Sequence, residues 1–230
     1  MIFRVIDFET TNFPPDAQVI EAAYIDVTAI GFVIKPGWSS LVKPSLPINI
    51  EARAVHHISD KDAAKGISWE EASSKLADGA DFFVAHNADF EKVFFDWYGL
   101  QWIDTYKCAL RLWPEAPRHS NQVLRYYLDR CDPGKAGMPP HRALPDCRVT
   151  ALVLARCLAL ASIDQLEAWS AESPLLPRVP MGKHFKKTWA EVPTDYLMWV
   201  LRSGFEPAVM HTAGVEVARR EALKLEKVSV

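Results

Sequence analysis

A chain of 230 residues with a formal net charge of −3 is long enough for one sizeable core and too nearly neutral for a protein that coats nucleic acid, although an enzyme gripping one strand end needs only a local basic patch. With 49% hydrophobic and 24% charged residues the composition is that of an ordinary globular protein, and no apolar run is long enough to cross a bilayer. Cys108, Cys131, Cys147 and Cys157 lie far apart without a Cys-x-x-Cys pair, so neither a zinc site nor a disulfide framework is suggested and reduced, mostly buried thiols are expected; the early Asp7 does not fit a signal peptide, and a cytoplasmic location is expected.

Ile2 to Asp7 alternates and is rich in β-branched residues, which predicts a strand. Val19 to Val27 and Gly31 to Ile34 predict two more, and Pro44, Pro47 and Asn49 mark a loop. Ser59 with Asp62, and Ser68 with Glu71, have capping-box spacing for two short helices. Asp81 to Ala85 reads as a short buried strand, and Asp89 to Tyr98 as a helix closed near Gly99. Trp102 to Thr105 predicts a strand, followed by a helix through Leu112 that stops at Pro114. Ser120 to Arg130 is helical, Cys131 to Pro140 a loop, and Arg142 to Ala161 the longest helical stretch, with Val149, Leu152, Val153 and Leu160 at helical spacing. Strands first, then mixed strands and helices, indicate an α/β domain with a mixed sheet over residues 1–172. The proline-rich run 173–180 reads as a linker, and 181–230 as a small basic and helical C-terminal extension.

Three groups of residues carry the chemistry. Asp7 and Glu9, two apart on a strand, point to one face, where two carboxylates repel unless a cation separates them. His86-Asn87-Ala88-Asp89-Phe90-Glu91 joins a strand to a helix, a junction at which sheets place ligands. His141-Arg142-Ala143-Leu144-Pro145-Asp146 stands where a loop enters the longest helix. Taken singly, each has an ordinary explanation: a solvated strand end, helix capping by Asp89 and Glu91, a helix-start Asp beside an exposed His.

Taken together, Asp-x-Glu, His-Asn-x-x-Phe-acid and His-x-x-x-x-Asp, in that order and spacing over about residues 1–165, resemble the DEDDh family of 3′–5′ exonucleases, which includes the proofreading subunit of bacterial replicative DNA polymerase. The resemblance implies a ribonuclease H-like fold, a mixed β-sheet flanked by helices. It also implies release of nucleoside 5′-monophosphates from 3′ ends by two-metal-ion hydrolysis, in DNA repair or proofreading. Asp7, Glu9, Glu91 and Asp146 would hold two divalent cations, Mg²⁺ with Mn²⁺ as a substitute, and His141 would be the general base. The family's second motif ends Phe-Asp, whereas this chain has Phe90-Glu91, so Asp89 stands as the alternative ligand. In a regular helix Asp89 and Glu91 lie about 200° apart and cannot serve one metal equally well; the strand-to-helix entry and the spacing of the resembling motif imply that Glu91 faces inward and Asp89 caps the helix.

Ala52 to Ser59 resembles the family segment that lines the terminal nucleotide. Thr10, Phe13, His56 and Phe90 are candidate contacts to the terminal nucleotide, with ordinary loop or core roles as the alternative for each. Leu110 to Pro114, Ser120-Asn121, and the tail Met181 to Lys187 with Tyr196-Leu197-x-Trp199 resemble a bacterial DNA-degrading branch of the family, which implies DNA 3′ ends, single-stranded or duplex, as partner. Lys183, Lys186 and Lys187 are candidate phosphate contacts, while Gly182-Lys183 lacks the upstream glycine of a nucleotide-triphosphate loop. Two other readings stay open at this point: the same chemistry on RNA, or a binding module that has lost catalysis at Glu91. The sequence leaves the oligomeric state open.

Overall fold

Alternating residues give β1 (Ile2–Thr10) two unlike faces, and the sheet is built outward from it. The structure is a computed structural model that describes residues 1–30, 33–34, 37–96, 99–128 and 137–228. β1 pairs antiparallel with β2 (Val19–Thr28), which pairs antiparallel with β3 (Trp38–Leu41). On its other side β1 runs parallel to β4 (Phe82–Ala85), and β4 parallel to β5 (Gln101–Asp104). The result is a mixed five-stranded sheet in the order β3-β2-β1-β4-β5.

Between β3 and β4 run α1 (Ile50–His56), α2 (Asp60–Ala63) and α3 (Trp69–Ala77). Ser59 and Ser68 cap the last two as expected, accepting from the Asp62 and Glu71 N–H groups. α4 (Asp89–Lys92) joins β4 to β5. Next come α5 (Thr105–Leu112), α6 (Asn121–Tyr127), α7 (Ala143–Leu160) and α8 (Ile163–Ala171).

Ile6 and Phe8 of β1 bury themselves on the α3 side among Ala72, Leu76, Phe83 and Phe95, each such large side chain contributing about 1.5–3 kcal/mol. Arg4, on the same face, is bidentate to Asp26 of β2 and donates to the carbonyls of Lys75, Leu76 and Asp78, so it satisfies the C-terminus of α3. The opposite face of β1 and β2 is covered by α7, whose Cys147 thiol reaches the Ala23 carbonyl. Asp7 and Glu9 stand on that face.

The chain divides into two compact units. One comprises Met1–Cys108 and Ala116–Ser170, the other Ala109–Glu115 and Ala171–Val230. The second unit contains α9 (Thr194–Val200) and α10 (Pro207–Val228), with a core of its own formed by Val179, Trp189, Val192, Leu197, Val200, Val209 and Ala213. Arg220 of α10 binds Glu216, the Thr194 hydroxyl and the carbonyls of Trp189, Ala190 and Val192, which fastens the 3₁₀ turn Trp189–Glu191 to that helix. The run 173–180, read from the sequence as a linker, is packed into this unit: Val179 is in the core and the Leu176 N–H donates to Thr212.

Several elements differ from the sequence reading. The third strand is Trp38–Leu41, and Val33 makes only an isolated bridge to Val27; the rest of the strand expected over 31–34 lies partly outside the described residues. α1 is not among the expected elements; it starts directly after the expected loop because the Asn49 side chain accepts from the Glu51 N–H. α4 is one turn long: Val93 and Phe94 donate to carbonyls three residues back, and Phe95 enters the core. The expected ends of that helix and of the helix at 120–130, and Cys131, lie outside the described residues. Cys108, Cys147 and Cys157 are buried, and none of them is in a disulfide among the described residues. Among the described residues no single helix is long and apolar enough to cross a membrane; α7 and α8 reach that apolar length only as a pair bent by 117°.

Candidate active site

At the end of β1 the register with β2 shifts between Glu9 and Thr10, and the two strands part there. Asp7 and Glu9 project from the last regular turns of the pleat, and Asp146 reaches them from the first turn of α7. One carboxylate oxygen from each lies within 4.8 Å of the others. Burial, then Asp146, Glu9 and Glu91, push Asp7 well above the usual carboxylate range. Glu9 is pushed up to about 8 by burial, Asp146 and Glu21. Burial also raises Asp146, against hydrogen bonds that favour its charge.

Those hydrogen bonds orient it. Asp146 Oδ2 accepts from the His141 backbone N–H at 2.7 Å, and Oδ1 from Gln122 Nε2 at 2.8 Å. His141, at φ 59, is thereby tied to the acid five residues later and lines the same cavity. Arg142 forms a bidentate pair with Glu21 of β2, at 2.9 and 2.6 Å, and the Ala143 N–H donates to the same carboxylate. Glu21 faces Glu9 across the strand pair, so one clamp fixes both the loop carrying His141 and the start of α7.

Glu91 is 4% exposed, its Oε2 has no hydrogen-bond partner, and burial lifts it well above the ordinary range, with Asp104 and Glu9 adding to the rise. Asp89 points elsewhere. Its side chain is 57% exposed and pairs with Lys107 Nζ at 3.0 Å. It does not cap α4, as the sequence reading expected: the cap position is Ala88, and no side chain bonds there. The N–H groups of Asn87 and Ala88 donate instead to Asp104, a carboxylate at the end of β5 that also accepts from Tyr106 and Lys107. Asp104 therefore holds the turn that aims Glu91.

A cavity of about 450 Å³ opens over these groups. Asp7, Glu9, Glu91, His141 and Asp146 line it, and so do Thr10, Phe13, His56 and Phe90. His56 is 3% exposed; its Nδ1 accepts from the Ile58 N–H, and its Nε2 has no partner. Phe13 is 77% exposed at the rim. His86 also touches the cavity but is engaged by Thr105 and the His119 carbonyl, and burial holds it down at about 4, a neutral ring. Lys183, Lys186 and Lys187 belong to the second unit.

The ligand atoms that converge within 4.8 Å here are carboxylate oxygens, the donor set of a hard divalent cation. Their crowding against burial, and the unpartnered Glu91 Oε2, are what such a site looks like when its charge is unbalanced. The residues present fit divalent ions.

The family described as Exonuclease (RNase_T) matches residues 5–154. The chain belongs to this exonuclease family. Its members most similar to this chain include exodeoxyribonuclease 10 of Escherichia coli K12, 30% identical over 207 residues that cover 88% of this chain and 91% of the relative. A structure of exonuclease X in complex with 5′-overhanging duplex DNA is 30% identical, with a TM-score of 0.65, over 74% of this chain and 99% of that one. The nuclease domain of 3′hExo, a DEDDh family member bound to rAMP, shares the fold at 16% identity and a TM-score of 0.56, over 72% of this chain and 94% of that one. The exonuclease family thus brings together the ribonuclease H-like sheet, the DEDDh motifs and the use of divalent metal ions.

The sequence reading of this exonuclease missed Glu21, Gln122 and Asp104. A lone acid inside the apolar Val19-Ile20-Glu21-Ala22-Ala23 and an Asp-Thr pair ending a strand were the signals for the first and last. Nothing in the sequence marks Gln122.

Proposed function

We propose that the chain is a 3′–5′ exodeoxyribonuclease that releases nucleoside 5′-monophosphates from DNA 3′ ends, with two Mg²⁺ ions, replaceable by Mn²⁺, held by Asp7, Glu9, Glu91 and Asp146. The observation that carries this reading is the convergence of Asp7, Glu9 and Asp146 within 4.8 Å, beside a His141 tied to Asp146. When bound, such a pair of ions stabilises the attacking and leaving oxygens of the displacement. His141 takes the proton of the attacking water at its imidazole. Asp146 orients His141 through the backbone hydrogen bond, and the Glu21–Arg142 clamp fixes that loop from the sheet side.

The terminal nucleotide occupies the cavity, with Phe90 and Phe13 against the base and His56 forming part of its wall. Glu91 rather than Asp89 is the second-motif ligand, because Asp89 is already neutralised by Lys107. A cytoplasmic place in DNA repair or proofreading follows from this activity.

The test is a gel of DNA oligomers labelled at the 5′ end, incubated with magnesium and with chelator, beside RNA of equal sequence. Stepwise shortening of DNA with magnesium and none with chelator is expected. Hydrolysis undiminished by chelator removes the metal reading, and preference for RNA removes the DNA assignment.

A further inference from the structure

The tail motif Met181 to Lys187, with Tyr196 and Trp199, takes no part in the hydrolytic site. Within the second unit these segments form one surface. Gly182 sits at φ +69, and a Cβ there would lie 2.7 Å from the Tyr196 hydroxyl, so the 3₁₀ turn Gly182–His184 is pressed against α9. His184 meets the Tyr196 ring edge-on with centroids 4.6 Å apart; Tyr196 contacts Trp199 at 5.1 Å, and Trp199 contacts Phe205 at 5.4 Å. Lys183 Nζ lies 5.2 Å from the Tyr196 ring centre, and Lys186 Nζ 5.3 Å from that of Phe185. Trp199 is nevertheless 49% exposed and Phe185 56%.

Large rings left in water beside cations suit a polyanion that also carries flat apolar groups. Cations outnumber acids: residues 173–190 hold Lys183, Lys186 and Lys187, with Arg178 paired to Glu115, and no acid, and Asp195 of α9 acts on His184 from beside Tyr196. Glu191, just beyond, is occupied by the Thr188 N–H and hydroxyl. Unpaired bases offer faces to such rings, whereas bases in a duplex are already stacked.

We propose that this face of the second unit is a stacking platform for single-stranded DNA, with bases on Trp199 and Phe185 and phosphates on Lys183, Lys186 and Lys187. The proposal rests on the nuclease reading above and extends it to a second point of attachment on the strand.

The experiment uses the full chain in chelator, which prevents hydrolysis, and measures fluorescence anisotropy of a labelled 20-nucleotide thymidine oligomer and of a blunt duplex. Phe185→Ala and Trp199→Ala should each weaken binding of the oligomer by about 5- to 100-fold, with Trp199→Phe restoring most of it. Replacing Lys183, Lys186 and Lys187 together by glutamine should flatten the dependence of log affinity on log salt by about 2. Trp199 also packs on Phe205, so its truncation can disturb the unit; the exposed Phe185 and the lysines carry no such risk, and circular dichroism checks all the variants. Unchanged oligomer affinity in Phe185→Ala together with an unchanged salt slope overturns the proposal. So does self-association of the wild type that Trp199→Ala abolishes, which would assign the face to a second copy of the chain. If the wild type shortens DNA with magnesium while the variants bind like it, this proposal alone fails; if it shortens no DNA, the nuclease reading falls with it.

Discussion

Replacing Glu91 by glutamine keeps the shape of the side chain and removes its charge. In the metal-free protein this carboxylate is buried, unpartnered at Oε2 and repelled by Glu9 and Asp104, so it weakens the fold whenever it is ionised. The amide is no better partnered, but it carries no charge, and relief of one uncompensated buried charge amounts to at least about 1–3 kcal/mol. For a chain of this length that is a rise of about 3–10 °C in Tm. The sign follows from the raised pKa. In the acid range, where folded and unfolded carboxyls are both protonated, the charge costs nothing. The cost grows as pH rises past the ordinary carboxylate pKa, and is fully present once the cluster has ionised, which for the neighbouring Glu9 is at about 8. Thermal unfolding in chelator should therefore show Glu91→Gln above wild type at pH 8.5, with the gap closing as pH falls to and below the ordinary carboxylate range. Magnesium should reverse the order at pH 8.5, because the wild type gains binding free energy that the variant loses, and turnover on DNA should vanish in the variant. A lower Tm for Glu91→Gln in chelator at pH 8.5, or a gap that does not close as pH falls, would refute the assignment of Glu91 to the cation site.

His141→Ala should lower turnover by about 10²–10⁴-fold with DNA affinity little changed; wild-type turnover would remove His141 from the mechanism. Asp89→Ala should retain chemistry and cost about 1–3 kcal/mol, because the buried Lys107 loses the carboxylate 3.0 Å from its Nζ, and a dead enzyme would reverse its assignment with Glu91. Glu21→Gln should cost about 1–3 kcal/mol by unpairing Arg142, and should depress kcat more than KM, because the displaced loop carries His141. An unchanged kcat in a folded Glu21→Gln protein would show that the clamp does not position the base.

The legible parts of this molecule were those written in short-range chemistry. Ser59 and Ser68 announced their helices because a hydroxyl three residues before an acid satisfies backbone donors locally. Asp7 and Glu9 were readable because a pleat sends alternate residues to one face. Helix geometry separated Asp89 from Glu91, and the strand-to-helix entry with the resemblance in motif spacing set Glu91 inward. Trp38–Leu41 was not readable: Ser39 and Ser40 give it no apolar alternation, and it is a strand because β2 offers an edge. The same holds for the capping role assigned to Asp89, which lost to Lys107, a residue 18 positions away whose approach only the tertiary fold determines. Glu21 and Arg142 are 121 positions apart, and no local rule joins them.

The second unit is not strung onto the end of the first. It takes Ala109–Glu115 from the middle of the chain, so half of α5 belongs to a compact unit completed only by residues 171–230. During synthesis that half-helix, with its apolar Leu110, must wait while residues 116–170 are made, about 3–11 s at ordinary ribosomal speed. A stop codon at position 171 would make the wait permanent. It would leave Arg111 without Glu172 and Glu115 without Arg178, so a shortened form of this enzyme calls for surface repair of α5 as well as a new C-terminus.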